Sequence, residues 1–247
     1  MKDNFKILPI LATKAKPWIL KKHYAHRMPN ISFAFGIFES MPDVGVNHWS
    51  MVGVISYGGF ANINLNEIVE GYNTLELNRL IIQENQPRNC ASLLVSNSLK
   101  LLPKPHIIIS YADATMGHIG YIYQATNWLY TGQSGNDHEF ERGGKIFHRK
   151  SIYERLGTSS VKVAEAEGYK VVPIKGKHRY VFFLGSKKEK KLMYSVVKGK
   201  WGFYPYPKGD TDRYDSGKDI KQPTFNSAFR KTKKEEIKNE TKPKRLL

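Results

Sequence analysis

Apolar, β-branched and aromatic residues fall in short runs separated by polar stretches. The runs Phe5–Leu11, Ile31–Phe38, Trp49–Tyr57 and Leu75–Ile82 have the length and composition of strands. Ala15–Tyr24 reads as a helix, with Thr13 in the place of a cap and Pro17 compatible only with the first turn. Ala91, Leu94, Val95, Ser98, Leu99 and Leu102 recur at helical spacing and predict one apolar face, with Asn89 as cap and Pro103 as stop. His106–Ala112 reads as a short buried strand, Gly117–Ala125 as a short helix, and Trp128–Tyr130 as a strand closing at Gly132. This alternation predicts an α/β fold: a mixed central sheet with helices on its faces and a ligand crevice where adjacent strands part.

After Gly132 the pattern weakens. Gly135, Gly143 and Gly144 predict a loop, Ser160–Gly168 a short helix, and Arg179–Gly185 a strand. Beyond Tyr206 the periodicity is lost, and the closing KTKKEEIKNETKPKRLL has almost nothing to bury. The expected organisation is a catalytic domain over 1–135, a basic extension over 136–210 that packs on it or shares its groove, and a charged flexible tail over 211–247.

Charge changes the picture. Thirty-nine Lys and Arg against 22 Asp and Glu leave +17 over 247 residues, an imbalance that attracts a polyanion. No basic amphipathic helix of the membrane-surface type stands out, and aromatics make up 12% of the chain, which favours nucleic acid over a membrane. Cys90 is the only cysteine, so an intramolecular disulfide and a cysteine-rich zinc site are excluded. No run approaches the ~20 apolar residues of a membrane span, and Ile7–Ala12 is too short for a signal-peptide core. The expectation is a cytoplasmic protein with DNA as partner, no membrane and no evident protein partner. His23 and His26 lack a convincing third ligand, so no metal site is expected.

The stretch Gln86-Pro87-Arg88-Asn89-Cys90-Ala91 lies between a strand and a helix, where free backbone N–H groups and the helix dipole suit a phosphate. Gln86, Asn89, Ala91 and Ser92 are the candidates there, and an ordinary capped helix is the alternative. The turn is similar to the pyrophosphate-binding turn of GNAT acyltransferases, with Asn89 in place of the first glycine. Gly120–Gly132 resembles the last helix and strand of that fold. There a tyrosine in the Tyr123 position often protonates the departing thiolate of coenzyme A; a core tyrosine is the alternative. The cofactor is otherwise unknown, and this resemblance implies an acyl-CoA.

A more specific likeness spans LELNRLII, NCASLLVSNSLKLL, SYADATMGHIGYIYQATNWLYTG, the earlier KKHYAHRMP and the later HRYVFFLG and PYPKG. In identity, order and spacing these strings resemble the phage Mom family. The resemblance implies a GNAT-like scaffold and an enzyme that converts adenine in DNA to N6-carbamoylmethyladenine, shielding phage DNA from host restriction endonucleases. Two other readings stand beside it: an N-acetyltransferase of a protein or small-molecule amine, and a noncatalytic DNA-binding protein.

An adenine in a duplex must be flipped out and held against an aromatic surface, for which Tyr24, Tyr111 and Trp128 are candidates. Its amine is a poor nucleophile, so a carboxylate that accepts its hydrogens would help; Asp113, after a buried strand, is the choice, with a turn or cap role as the alternative. His23 and Tyr24 match the family's His-Tyr pair, and Arg79 its ELNRL-like strand, where a salt bridge with Glu76 is the alternative. Ser110 is a candidate donor, and His118 and Asn127 are candidates to position the base. Lys177, Arg179, Lys187, Lys188, Lys190 and Lys191, interleaved with Tyr180, Trp201 and Tyr204, predict phosphate contacts without base readout.

Overall fold

The computed structural model describes residues 4–41, 48–60 and 71–209. Its strands are β1 (Phe5–Pro9), β2 (Phe33–Ser40), β3 (Trp49–Gly58), β4 (Thr74–Ile82), β5 (His106–Ala112), β6 (Leu129–Gln133), β7 (Asp137–Arg142), β8 (Lys145–Phe147), β9 (Lys170–Ile174) and β10 (His178–Leu184). Seven form one sheet in the order β1-β2-β3-β4-β5-β10-β6. Neighbours run antiparallel except β4 and β5. A parallel pair needs a crossover, and α2 (Cys90–Leu101) supplies it.

Both faces of this sheet are covered. Leu94, Val95 and Leu99 of α2 pack with Tyr57, Leu75, Leu77 and Ile108 on one face. On the other, α1 (Ala12–Lys22) buries Ala15 and Ile19 against Ala34, Val54 and Ile81. There too, α6 (Lys187–Trp201) buries Met193 and Val197 against Ile107, Ile109 and Val181. β5 therefore sends Ile107 and Ile109 one way and Ile108 and Ala112 the other, which is why it reads as an unbroken apolar run.

Several boundaries differ from the sequence reading. β1 ends at Pro9, and α1 begins at Ala12 with Leu11 as its capping position, so Thr13 lies inside the helix. Pro17 is past the first turn; Thr13 and Pro17 are exposed, so water can meet the carbonyl that loses its donor. The expected helix over 117–125 is shortened to α3 (Tyr121–Ala125), and a separate 3₁₀ turn, Ala114–Met116, precedes it. Gly120 separates them with φ of 84°, and any side chain there would run into the Tyr180 ring.

The glycine-marked loop contains a second sheet, β8-β7-β9. Gly143 and Gly144, at φ 59° and 74°, form the two-residue turn joining β7 to β8. α4 (Arg149–Leu156) and α5 (Val161–Ala166) complete this small unit around Phe140, Ile152, Ala164 and Tyr169. It is inserted between β6 and β10. The main sheet thus draws β10 from the segment read as a basic extension, and a strap after α6 closes the β6 edge, where the Tyr206 hydroxyl donates to the Trp128 carbonyl at 2.5 Å. The tail reading, 211–247, lies outside the described residues.

Candidate active site

β4 and β5 pair only from Thr74 with Ile107 to Leu77 with Ser110. Beyond that, Tyr57 faces Leu77 and Ser56 faces Arg79, which leaves Asn78 as an extra residue that turns β4 away from β5. The strands part here, at their carboxyl ends. Ser110 marks the last link: its hydroxyl donates to the Leu77 carbonyl at 2.8 Å and lies 2.7 Å from the Tyr123 hydroxyl. A hydroxyl has one proton, so Tyr123 supplies the proton of the second bond. Burial pushes the Tyr123 hydroxyl up to about 12, so at neutral pH it is a proton donor and not a base.

Asn78 also fixes the loop after α1. Its amide oxygen accepts from Ser56 at 2.7 Å and its nitrogen donates to the Asn30 carbonyl at 2.8 Å. Gly58 lies against that carbonyl so closely that a side chain there would overlap it. Arg79, expected as a site residue, donates to the carbonyls of Asn78 at 2.6 Å and Arg27 at 2.9 Å. One of its N–H groups thus ties down the loop that presents His23 and Tyr24, while the other bonds within its own strand.

His23 and Tyr24 stack with ring centroids 4.3 Å apart, and His118 meets the Tyr24 ring edge-on at 5.9 Å. The Ala25 N–H donates to His23 Nδ1 at 3.1 Å, which places the proton of the neutral ring on Nε2. Burial, then the nearby Arg79 charge, lowers His23 to about 4, so it stays neutral and serves as a donor. Tyr24 is raised by burial and by Asp113, and its ring remains 44% exposed. Asp113 stands on the opposite lip with its side chain 13% exposed; one oxygen accepts from the Thr115 N–H at 3.0 Å and the other pairs with Lys177 at 3.2 Å. The capping role weighed for Asp113 is therefore real and leaves lone pairs on both oxygens.

Other expected site residues lie elsewhere. Trp128 is fully buried between Tyr123 and Phe182 and cannot stack on a base. Asn127, exposed at φ 63°, is the left-handed turn residue after α3. Tyr111 packs on the α6 face of the sheet. Lys187, Lys188, Lys190 and Lys191 occupy the first turns of α6, at the far end of the sheet from the crevice. The rise of ~1.5 Å per residue separates them by roughly 15–20 Å from Trp201 at the other end of that helix.

At the head of α2, Asn89 has φ of 71° and makes no side-chain cap. It adopts the left-handed backbone for which glycine is usual and asparagine is the best substitute, so the turn survives the replacement. Ser92 donates to the Asn89 carbonyl at 3.0 Å. The first turn of a helix offers N–H groups, and exposed Arg88 adds a cation against the nearby Glu39 carboxylate, 3.4 Å from Gln86. The turn thus offers helix N–H groups and one cation, with the Glu39 carboxylate beside them.

Residues not anticipated from the sequence are Asn78, Arg27 and His148. His148 is lowered by burial and then by the charge of Arg27, with Lys177 also close enough to contribute, so the inserted unit borders the crevice. His23, His106, His148 and His178 are all lowered, burial being the first cause. The unfolded chain then binds more protons than the folded one between about pH 6.5 and 4, so stability is lost as pH falls through that window. Melting temperature should fall across it, and His23→Asn should make the fall shallower.

A mixed α/β sheet whose parallel pair splays at its carboxyl ends carries this candidate site, and the chain is an enzyme of the transferase type. The chain belongs to the Mom protein family, whose sequence model matches residues 4–208, and at that level its function is DNA modification. It is similar to "Methylcarbamoylase mom" of Escherichia phage Mu, 29% identical over 201 residues covering 78% of this chain and 80% of that protein. Among solved structures it is similar to an acetyltransferase of the GNAT family from Bacillus cereus (TM-score 0.38, 11% identity, 72% of this chain and 96% of that one). Another is Arabidopsis thaliana NAA60 in complex with acetyl-CoA (TM-score 0.45, 12% identity, 73% and 99%). No helix among the described residues is long and apolar enough to cross a membrane.

Proposed function

We propose that this chain transfers a carbamoylmethyl group to the N6 amine of adenine in DNA, making phage DNA resistant to host restriction endonucleases. The observation that carries this reading is the Asp113 carboxylate at the end of β5, close enough to raise the Tyr24 hydroxyl, beside the exposed ring of Tyr24 in a Mom-family chain. A flipped adenine stacks on Tyr24. Its amine, whose lone pair is delocalised into the ring, donates a hydrogen to Asp113, which draws electron density back to the nitrogen and takes the proton as the new N–C bond forms. Neutral His23 donates from Nε2 toward the base or the incoming group, and the Tyr123 hydroxyl is the proton source deeper in the crevice. Gln86, Asn89, Ala91 and Ser92, with Arg88, would hold a coenzyme A-like donor by its diphosphate; the bond from N6 to the methylene carbon of the carbamoylmethyl group would form as that carbon's bond to the donor's leaving group breaks, the leaving group taking the Tyr123 proton.

The test is mass spectrometry of nucleosides from DNA of cells expressing the protein. Deoxyadenosine gaining the mass of a carbamoylmethyl group supports the reading. Unmodified DNA together with acetylation of a free amine by the purified protein would replace it with the N-acetyltransferase alternative.

The four lysines at the head of α6 serve affinity at a distance from the crevice. Neutralising Lys187, Lys188, Lys190 and Lys191 together should weaken DNA binding and flatten its salt dependence, by about 0.9 in the log–log slope for each phosphate no longer neutralised. The modification rate at saturating DNA should stay unchanged. A fall in that rate would place these lysines at the reacting end of the molecule.

A further inference from the structure

A shallow, open depression of about 540 Å³ lies on the α6 face of the sheet, near the splay. Arg179, Lys200, Trp201 and Tyr204 line it, with Thr131 and Gln133 of β6, and among the described residues no carboxylate does. The antiparallel course of β10 and α6 brings Arg179, at the head of the strand, against Trp201, at the tail of the helix; the guanidinium lies 3.9 Å from the ring centroid. Thr131 accepts twice from Arg179, at 2.9 Å on its hydroxyl and 3.1 Å on its carbonyl, and Tyr111 hydrogen-bonds it as well. A guanidinium has five N–H groups, so two remain for a ligand. The groups that act on its charge are the tyrosines 111, 130 and 204, all neutral. Among the described residues its partners are thus all uncharged, and a half-buried arginine so placed favours an anion.

The depression also has a stacking surface. Tyr204 is 51% exposed and rests on Gly132, whose φ of 87° strains any side chain and whose Cβ would sit 3.3 Å from that ring. Its backbone N–H is fixed on the Tyr130 carbonyl at 3.0 Å. Arg179 follows Lys177, the partner of Asp113, by two residues, and Tyr111 precedes Asp113 by two, so the depression adjoins the crevice.

We infer that this depression is a second nucleic-acid subsite, which takes one phosphodiester of the DNA strand on Arg179 and Lys200 and stacks the adjoining nucleoside on Tyr204. It rests on the reading of DNA as substrate, and it assigns the strand next to the flipped adenine to the α6 face, away from the diphosphate turn of α2. The experiment is fluorescence anisotropy of the full chain with a labelled DNA duplex over a salt series, with no donor present. Arg179→Gln with Lys200→Gln should reduce the slope of log affinity against log salt by about 0.9 for the one phosphate set free. Tyr204→Ala should weaken binding by about fivefold or more with the slope unchanged, as removal of one stacked base would. Lys200→Gln and Tyr204→Ala alter exposed side chains and keep the test valid if Arg179→Gln lowers the melting temperature. Wild-type affinity and slope in these variants would overturn the inference. So would an unchanged slope accompanied by a raised KM for the donor, which would make the anion the donor's phosphate. If the unaltered protein binds no duplex, it is the DNA-modifying reading that fails.

Discussion

Asp113→Ala should abolish adenine modification, lowering the rate by about 10²-fold or more, while DNA affinity stays the same or rises slightly from the loss of a negative charge. Alanine alone is an imperfect test, because Asp113 also caps the Ala114–Met116 turn through the Thr115 N–H and pairs with Lys177. Losing a capping oxygen costs about 1 kcal/mol, and a partly exposed ion pair adds at most about as much. Asp113→Asn separates the roles. It keeps the oxygen that receives the Thr115 N–H and loses only the ion pair, so the melting temperature should fall by ~2–4 °C at most. It cannot take a proton from the adenine amine, and its NH₂ group would meet the amine hydrogens donor to donor. Modification measured by nucleoside mass spectrometry should therefore be lost in Asn as in Ala. An Asn variant that modifies DNA at the normal rate would reduce Asp113 to a turn residue beside the crevice.

Much of the sheet could be read from the chain because its signals are local. β2, β3, β4, β5 and β10 are dense in Ile, Val, Leu and Phe, and burial on both faces makes such runs continuous. The second sheet could not be read this way. β7 is DHEFER, in which Phe140 alone is buried, so a strand that covers a four-residue core leaves no alternation to detect. Its one clear signal was the Gly143-Gly144 pair, which marks a two-residue hairpin turn as readily as a loop.

The site was legible in part for the same reason. Among the candidates, Asp113 stands out as a polar residue after a buried strand, whereas His23 and Tyr24 were singled out by the resemblance to the family's His-Tyr pair. Asn78 was hidden by the imperfect alternation of Glu76 and Arg79 along their strand, and that irregularity is what one inserted residue produces: a bulge shifts the facing of everything after it. Lys177 stood among the phosphate-binding lysines by composition. Its pairing with Asp113 depends on β10 joining β5 across the whole inserted unit, and nothing in the order of residues announces that. The lysines of α6 were placed near Arg179 because they follow it closely in the chain; β10 and α6 then carry them the length of the sheet away.

Trp128→Ala should cost about 3–5 kcal/mol of stability, because this ring is core. It lies within the most family-specific stretch of the chain, where an aromatic residue invites a role in holding the flipped base. Yet it has no exposed surface, Tyr123 and Phe182 flank it with centroids 5.1 and 5.6 Å away, and Tyr206 ties the closing strap to its carbonyl. For a chain of this size ~2–4 °C of melting temperature is lost per kcal/mol, so Ala should melt roughly 6–20 °C lower. A cavity beside Tyr123 would also loosen its bond to Ser110 at the splay, so reduced activity in Ala cannot by itself distinguish a core role from a role in touching the base. Trp128→Phe does. The indole Nε1 is buried without a partner among the described residues, so phenylalanine removes an unsatisfied donor as well as volume, and the two effects partly cancel. A core residue then predicts a Phe variant that melts only a few degrees lower and keeps its KM for DNA. A Phe variant with near-normal melting and a raised KM for DNA would mean that the ring turns outward to meet the base, and Tyr24 would lose its place as the stacking surface.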